Sequence, residues 1–541
     1  MTEASRHRTR LVGLGLSALF VVLAGKAGYL ALSPARPAAQ YAGRETLEHP
    51  RADIVDRNGE MLATSVRVYS LVANPKQIWD PHEIATALAG VLPDIDIAEL
   101  TARLSDQSRQ FVWVKRSLTP RQREAVFNLG LEGLRFEEEL SRSYPRGTLA
   151  GHILGFTNVD GVGGGGIEYS MNDRLAAGGE PVRLTIDNGV QAAVEAELAS
   201  SAADEGFNGA AVILMEARTG EVRALASWPP FDPNRSAETP MDDPSRLNRA
   251  TGAVYELGSV FKPLTVAAAI ESGAIRPGDS FDVHDPIEMR GYTISDLHSI
   301  GMTADVTKII AESSNIGTVH INEKLGPRRQ QAFLERAGLM ERAPVELAGS
   351  AAPILPEKFD DLTAATASYG HGIAVTPMAF LSAFAAFANG GERVPPTLVV
   401  DETRKPEPVR IMSALTADIV NAMMREAVLH GTGRNAEVAG YHVAGKTGTA
   451  EKPVPGGYDD GANISSFAAI FPYDSPQYAL IVTLDDPKAG ERGSVASQNA
   501  APTAGRIIER VAPLLGLAPR FEDPRPAGDR YRSPTDERTS L

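Results

Sequence analysis

Gly258-Ser259-Val260-Phe261-Lys262-Pro263 is the stretch on which the reading of this chain turns. Spacing i, i+3 on a helix puts Ser259 and Lys262 on one face, so the lysine amine can approach the serine hydroxyl. A serine hydroxyl is a poor nucleophile at neutral pH unless a base takes its proton, and a desolvated lysine with a lowered pKa can be that base. Of the eleven lysines, Lys262 alone has a serine three positions before it. Gly258 permits close approach of a substrate backbone. Pro263 belongs in a first helical turn, so a helix starts here and its N-terminal dipole would favour a developing oxyanion at Ser259. An ordinary helix start carrying a surface lysine yields the same tetrapeptide, so support has to come from elsewhere in the chain.

Outward from this stretch the pattern is strands, then helices, then strands. A helical run over 188–203 precedes strand-like runs at 210–214 and 222–227, which flank Ala217-Arg218-Thr219-Gly220 with Gly220 suited to the turn. Helical patterning dominates from 259 to about 389, strand-like runs return at 441–444, 467–471 and 478–484, and 506–515 reads as a last amphipathic helix. Strands at both ends with helices between them predict an α+β fold, a sheet whose first and last strands meet and whose faces carry helices. Upstream, residues 51–180 mix short strands (66–72, 111–114) with helix (120–128) and read as an irregular α+β module.

Lys446-Thr447-Gly448-Thr449 continues the strand-like Tyr441-His442-Val443-Ala444-Gly445. In an extended segment Lys446 and Gly448 line one side, Thr447 and Thr449 the other. Gly448 leaves room for a substrate lying along the strand, whose own N–H and C=O groups can bind an extended peptide. The same residues satisfy G-x-x-x-x-G-K-[ST] from Gly440, but a phosphate loop opens a helix, whereas Pro453 and Pro455 forbid one here. Serine followed two later by asparagine occurs at Ser170, Ser313 and Ser497, and order selects Ser313-Ser314-Asn315, between the other two motifs. The Ser313 hydroxyl could relay a proton and the Asn315 amide could hold a peptide carbonyl.

The composition narrows the chemistry. The 541 residues hold 53 Lys+Arg against 68 Asp+Glu, a net charge of −15, which disfavours nucleic acid as a partner. With no cysteine, disulfides, thiol catalysis and thiolate metal sites are excluded, and the ten histidines show no H-x-x-x-H or H-E-x-x-H pairing. Neither metal nor cofactor is called for. Arg6, Arg8 and Arg10 precede an apolar run over 11–32, interrupted by Lys26, that is long enough to span a bilayer. It reads as an uncleaved anchor with residues 1–10 in the cytoplasm, a cleaved signal peptide being the alternative. Residues 33–50 read as a linker, 181–518 as the main domain and 519–541 as a disordered tail. His371 is open to a place near the site or a structural role.

Ser259/Lys262, Ser313/Asn315 and Lys446-Thr447-Gly448 together resemble the S-x-x-K, S-x-N and K-[ST]-G set of penicillin-binding proteins. The resemblance covers most of the chain. Arg51-Ala52-Asp53-Ile54-Val55-Asp56-Arg57-Asn58-Gly59 is similar to the R-G-x-I-x-D-R-x-G signature of monofunctional class B members, with Arg142-Ser143-Tyr144-Pro145, Gly166-Ile167-Glu168, Asn248-Arg249, Tyr255-Glu256 and Tyr369-Gly370-His371-Gly372 as further blocks. Ala52, where glycine is usual, and Leu257, where proline is usual, depart from the pattern. The whole is most like the division-specific septal branch. The resemblance implies a periplasm-facing, single-pass inner-membrane D,D-transpeptidase whose N-terminal module is a pedestal and docking surface. Peptidoglycan stem peptides would be its substrates, β-lactams its inhibitors, and a membrane glycosyltransferase with other division proteins its partners. It implies Ser259 as nucleophile, Lys262 as general base, Ser313 as proton shuttle and Asn315 as substrate clamp. Lys446 and Thr447 would hold the terminal carboxylate, and the N–H groups of Ser259 and Thr449 would form the oxyanion hole. An elongation-specific enzyme of the same class, a hydrolase, and a non-catalytic scaffold or β-lactam sensor are the alternatives.

Overall fold

Ala211, Ile213 and Met215 pack into one apolar cluster, while Ala210, Val212 and Leu214 on the same strand pack into another. A strand buried on both faces needs a continuous apolar run, which is what residues 210–215 supply. In the computed structural model, which describes residues 50–401, 403, 407–454, 457–488 and 494–522, this strand lies inside the main sheet.

Three strands and a helix build the centre of the N-terminal module: β1 (Met61–Ala73), β2 (Val112–Leu118), α1 (Pro120–Asn128) and β3 (Leu134–Ser143). The β1 strand pairs antiparallel with both β2 and β3. The predicted helix at 120–128 is present with Pro120 in its first turn and Thr119 and Gln122 forming a capping box. In the same module, Arg51 and Arg142 both clamp Glu168, at 2.6 Å each, with all three side chains essentially without solvent exposure.

The main domain opens with α2 (Asn188–Glu205), β4 (Gly209–Glu216) and β5 (Val222–Trp228), and Gly220 turns between the strands at φ +74°. A Cβ on Gly220 would lie 2.3 Å from the Pro395 carbonyl oxygen, so the turn needs glycine for space as well as for conformation. Then come α3 (Lys262–Glu271), α4 (Val306–Glu312), α5 (Asn315–Leu325) and α6 (Ala414–Leu429). The chain closes with β6 (Ala444–Val454), β7 (Gly457–Phe471), β8 (Tyr478–Asp485) and α7 (Ala500–Leu514). The sheet order is β6-β7-β8-β4-β5, antiparallel throughout, so the first and last strands meet as expected. Helices α2 and α7 cover one face through Val190, Val194, Ile507 and Ile508, and the helices between β5 and β6 cover the other through residues such as Phe380 and Phe384.

Three expectations need correction. The strand predicted at 441–444 begins only at Ala444, because Gly440 at φ +85° and His442 at φ +43° break the extended run. The helical stretch from 259 to 389 is interrupted between Ser280 and Asp305 by four three-residue strands that pair as two small antiparallel ladders. The last helix starts at Ala500, capped by Asn499, six residues before the predicted start. The predicted anchor at 11–32 lies outside the described residues, among which no helix is long and apolar enough to cross a membrane.

Candidate functional site

Ser259 sits in a single 3-10 turn, Gly258–Phe261, that runs straight into α3. Side chains at i and i+3 eclipse in a 3-10 turn, so the turn stacks Ser259 over Lys262 more directly than an α-helix does. Ser259 keeps partial solvent access, whereas Lys262 is fully buried. Gly258 holds φ +63°, and its N–H reaches the Gly370 carbonyl at 3.2 Å. A Cβ on Gly370 would lie 2.2 Å from the Gly258 carbonyl oxygen, so this glycine pair lets two backbones close behind the serine.

The strand β6 is the sheet's edge and lies against that turn. A Cβ on Gly448 would sit 2.3 Å from the Leu257 carbonyl oxygen and 3.1 Å from the Val260 nitrogen. Lys446 and Gly448 therefore share the side facing the serine, as alternation predicts. Thr449 takes the Ala496 N–H on its hydroxyl at 3.0 Å, and Thr447 shares a 2.7 Å hydrogen bond with Thr432.

Ser313 closes α4 in the left-handed region, φ +65°, and Ser314 caps α5. This kink aims the Ser313 hydroxyl at both lysines: Lys446 Nζ donates to it at 2.8 Å and Lys262 Nζ at 3.2 Å. Lys262 also donates to the Ser313 carbonyl at 2.5 Å and to Asn315 Oδ1 at 2.8 Å. Lys262, Ser313, Asn315 and Lys446, predicted from three separate motifs, thus form one hydrogen-bonded cluster beside the Ser259 turn.

Burial is the largest influence on both amines. It holds Lys262 well below the usual lysine value, the Lys446 charge pushing the same way and Asp296 opposing. It brings Lys446 down to about 7. An amine so depressed can hold a lone pair near neutral pH, which an exposed lysine cannot. His371 lies nearby, its ring 5.2 Å from that of Tyr369 and 6.2 Å from that of Tyr458, and burial, with a smaller contribution from Lys262, holds it down at about 4. Sequence reasoning missed Asp296, whose carboxylate accepts from Ser314 and the N-terminus of α5, and Thr432; neither falls in a motif, and only the fold brings them to the site.

A serine turn over a buried lysine, a second lysine on a strand edge and a hydroxyl bridging the two could supply an acyl transfer with nucleophile, base, proton relay and peptide-binding edge. Comparison with known proteins agrees with that chemistry. Residues 210–509 match the penicillin binding protein transpeptidase domain and residues 46–199 the penicillin-binding protein dimerisation domain. The chain is 39% identical to the probable peptidoglycan D,D-transpeptidase FtsI of Caulobacter vibrioides, covering 93% of this chain and 87% of that one. It is 30% identical to the probable peptidoglycan D,D-transpeptidase PenA of Neisseria meningitidis over 88% and 86% of the two chains. Penicillin-binding protein 3 of Mycobacterium tuberculosis in complex with ampicillin superposes with a TM-score of 0.71 at 27% identity, over 88% of this chain and 98% of that one. With both domain matches in place and that site inside the transpeptidase match, the chain belongs to the penicillin-binding proteins, as a member carrying a transpeptidase domain behind a dimerisation domain.

Proposed function

We propose that this chain is the septal peptidoglycan D,D-transpeptidase of its cell, and that the observation carrying the assignment is the Ser313 hydroxyl held between two buried lysine amines beside the Ser259 turn. Lys262, as the neutral amine, takes the Ser259 proton while Oγ attacks the penultimate D-Ala carbonyl of a stem peptide. The N–H groups of Ser259 and Thr449 hold the oxyanion. Collapse breaks the peptide bond, and the departing D-Ala nitrogen receives the proton from Lys262 by way of Ser313. The amine of a neighbouring stem then attacks the acyl-serine ester, its proton returns through Lys262 to Ser259, and the cross-link leaves. Asn315 and the β6 edge, which Gly448 lets close on the serine turn, hold the donor peptide, while Lys446 and Thr447 take its terminal carboxylate.

The septal role follows the naming of the FtsI relative, and depletion separates it from an elongation role: filaments for division, rounded cells for elongation. The reading places an anchor at 11–32, the catalytic domain in the periplasm and a membrane glycosyltransferase among the partners, with β-lactams as inhibitors. Intact-mass measurement of the full-length protein after exposure to a penicillin tests the chemistry. A single stable adduct, absent from Ser259→Ala, is expected. Rapid turnover without an adduct would point to a hydrolase, and no reaction by folded protein would point to a scaffold.

A further inference from the structure

The helix Pro327–Arg336 buries Gln330, Phe333 and Leu334, which leaves Arg329, Ala332 and Arg336, at i, i+3 and i+7, along one neighbouring stripe. That stripe walls a cleft of about 380 Å³. Its apolar lining, Ala268, Leu325, Phe333, Ile411 and Met412, is buried, while Arg329, Arg336 and Arg410 stand exposed around it. The one carboxylate in the lining is already engaged: Glu271 accepts the Ser413 N–H at 2.9 Å and the Thr416 hydroxyl at 2.6 Å, which ties the end of α3 to the start of α6. Arg410 is engaged as well, with Glu392 at 2.6 Å and the Gly390 carbonyl at 3.0 Å. Arg329 and Arg336 form no ion pair among the described residues, although the chain as a whole carries a net charge of −15. Two uncommitted guanidiniums thus stand over an apolar recess.

We infer that this cleft is the docking site of an acidic segment of another protein, in which two carboxylates bracket an apolar side chain. Arg329 and Arg336 are seven residues apart on their helix, about 10 Å along its axis. Acidic residues three apart in a polyproline-II-like segment stand on one side at about 9 Å, which matches that spacing. Each carboxylate gains a charge-assisted hydrogen bond to a guanidinium. Burying the apolar side chain against Phe333 and Met412 adds the area that exposed ion pairs alone do not supply. A membrane surface of anionic headgroups meets the guanidiniums but, being flat, leaves the recess unfilled, so the shape favours a peptide. Helix α3 carries Lys262 at one end and Glu271 at the other, about 14 Å apart, so an occupant of the cleft leaves the Ser259 turn open to substrate.

The test titrates a rhodamine-labelled Glu-Leu-Leu-Glu peptide, blocked at both ends, with the full-length protein and follows fluorescence anisotropy. Saturable binding is expected, weakened about 10-fold or more in the double variant Arg329→Glu/Arg336→Glu and by added salt. Arg328→Glu, exposed on the same helix but outside the cleft lining, should bind as wild type does. Gln-Leu-Leu-Gln and Glu-Ser-Ser-Glu peptides should both bind more weakly, one for want of charge and the other for want of apolar area. Prior treatment with a penicillin should leave the affinity unchanged. Absence of saturable binding, equal affinity in the double variant, or equal binding of the uncharged peptide would overturn the inference. Loss of binding after penicillin treatment would overturn it too, by placing the peptide in the catalytic cleft. So would arginine-dependent binding of phosphatidylglycerol vesicles by a protein that ignores the peptide, which would assign the cleft to a lipid surface. Should the double variant not fold, Arg329→Glu alone decides: a weakening of about 3-fold is expected, and wild-type affinity there sinks the proposal.

Discussion

Lys446 is fully buried and keeps an amine whose pKa is brought down to about 7, against about 10.4 in an unfolded chain. The unfolded chain therefore binds a proton that the folded one lacks between those values, and the folding penalty of this lysine is full below about pH 7 and fades as pH rises toward 10. Lys446→Met should abolish transpeptidation yet raise stability, by on the order of a few kcal/mol near pH 6 and by less near pH 9, less whatever its hydrogen bonds to Ser313 contribute. Denaturant melts of both proteins at the two pH values check the sign. Ser313 shows the same exchange of stability for chemistry, since a non-glycine residue at φ +65° is strained by about 1 kcal/mol or more. Gly448→Ala should also impair acylation, because its Cβ would press the Leu257 carbonyl and push the edge strand away from the serine turn. A cost of about 1–3 kcal/mol, read in the melting curve, is expected beside the lost adduct.

Among the elements, the buried Arg51–Glu168–Arg142 clamp ties the start of the described chain to β3 and to the short helix Gly166–Ser170. Glu168→Ala would leave two guanidiniums buried without their carboxylate, and a loss of about 3–5 kcal/mol is expected by chemical denaturation. How much could be read beforehand also divides by element. Residues 210–214, 222–227 and 478–484 announced themselves because strands buried on both faces must be apolar throughout, and the helix at 120–128 did so through its proline and cap. The ladders between Ser280 and Asp305 did not, because three residues are too few to establish a period of two. Ser259, Lys262, Ser313 and Lys446 were legible because their side chains must stand at fixed spacing or in fixed order. Asp296 was not, because its role comes from a loop folding back onto a helix N-terminus eighteen residues further on.

Across the whole molecule, the turn at Asp56 is one of several contacts that join the N-terminal module to the main domain, beside Tyr144–Asn234 and Ala150–Glu195. Asp56 is fully buried, accepts the Asn58 and Glu60 N–H groups at 2.8 Å each and the Asn188 N–H at 3.0 Å, and so caps its own turn and touches the first residue of α2. Arg57 adds a half-buried ion pair to Glu221 at 3.1 Å, and the strand Ile54–Val55 runs parallel to Val182–Arg183. Asp56→Ala is expected to cost about 3 kcal/mol or more and, in calorimetry, to shift the unfolding of both parts together. A shift confined to one transition would show the turn serving only the module that contains it.

The main sheet pairs β4 with β8, from Gly209↔Asp485 to Tyr478↔Glu216, and so joins its first strand to its last. Ser259 is synthesised well before the β6 strand that stands beside it, and that strand lies at an edge, placed only once β7 and β8 have docked on β4. During synthesis Ser259 exists for a time without Lys446 or the edge strand beside it. A drug that needs both finds no target in the emerging chain, and the enzyme becomes vulnerable at the moment it becomes complete.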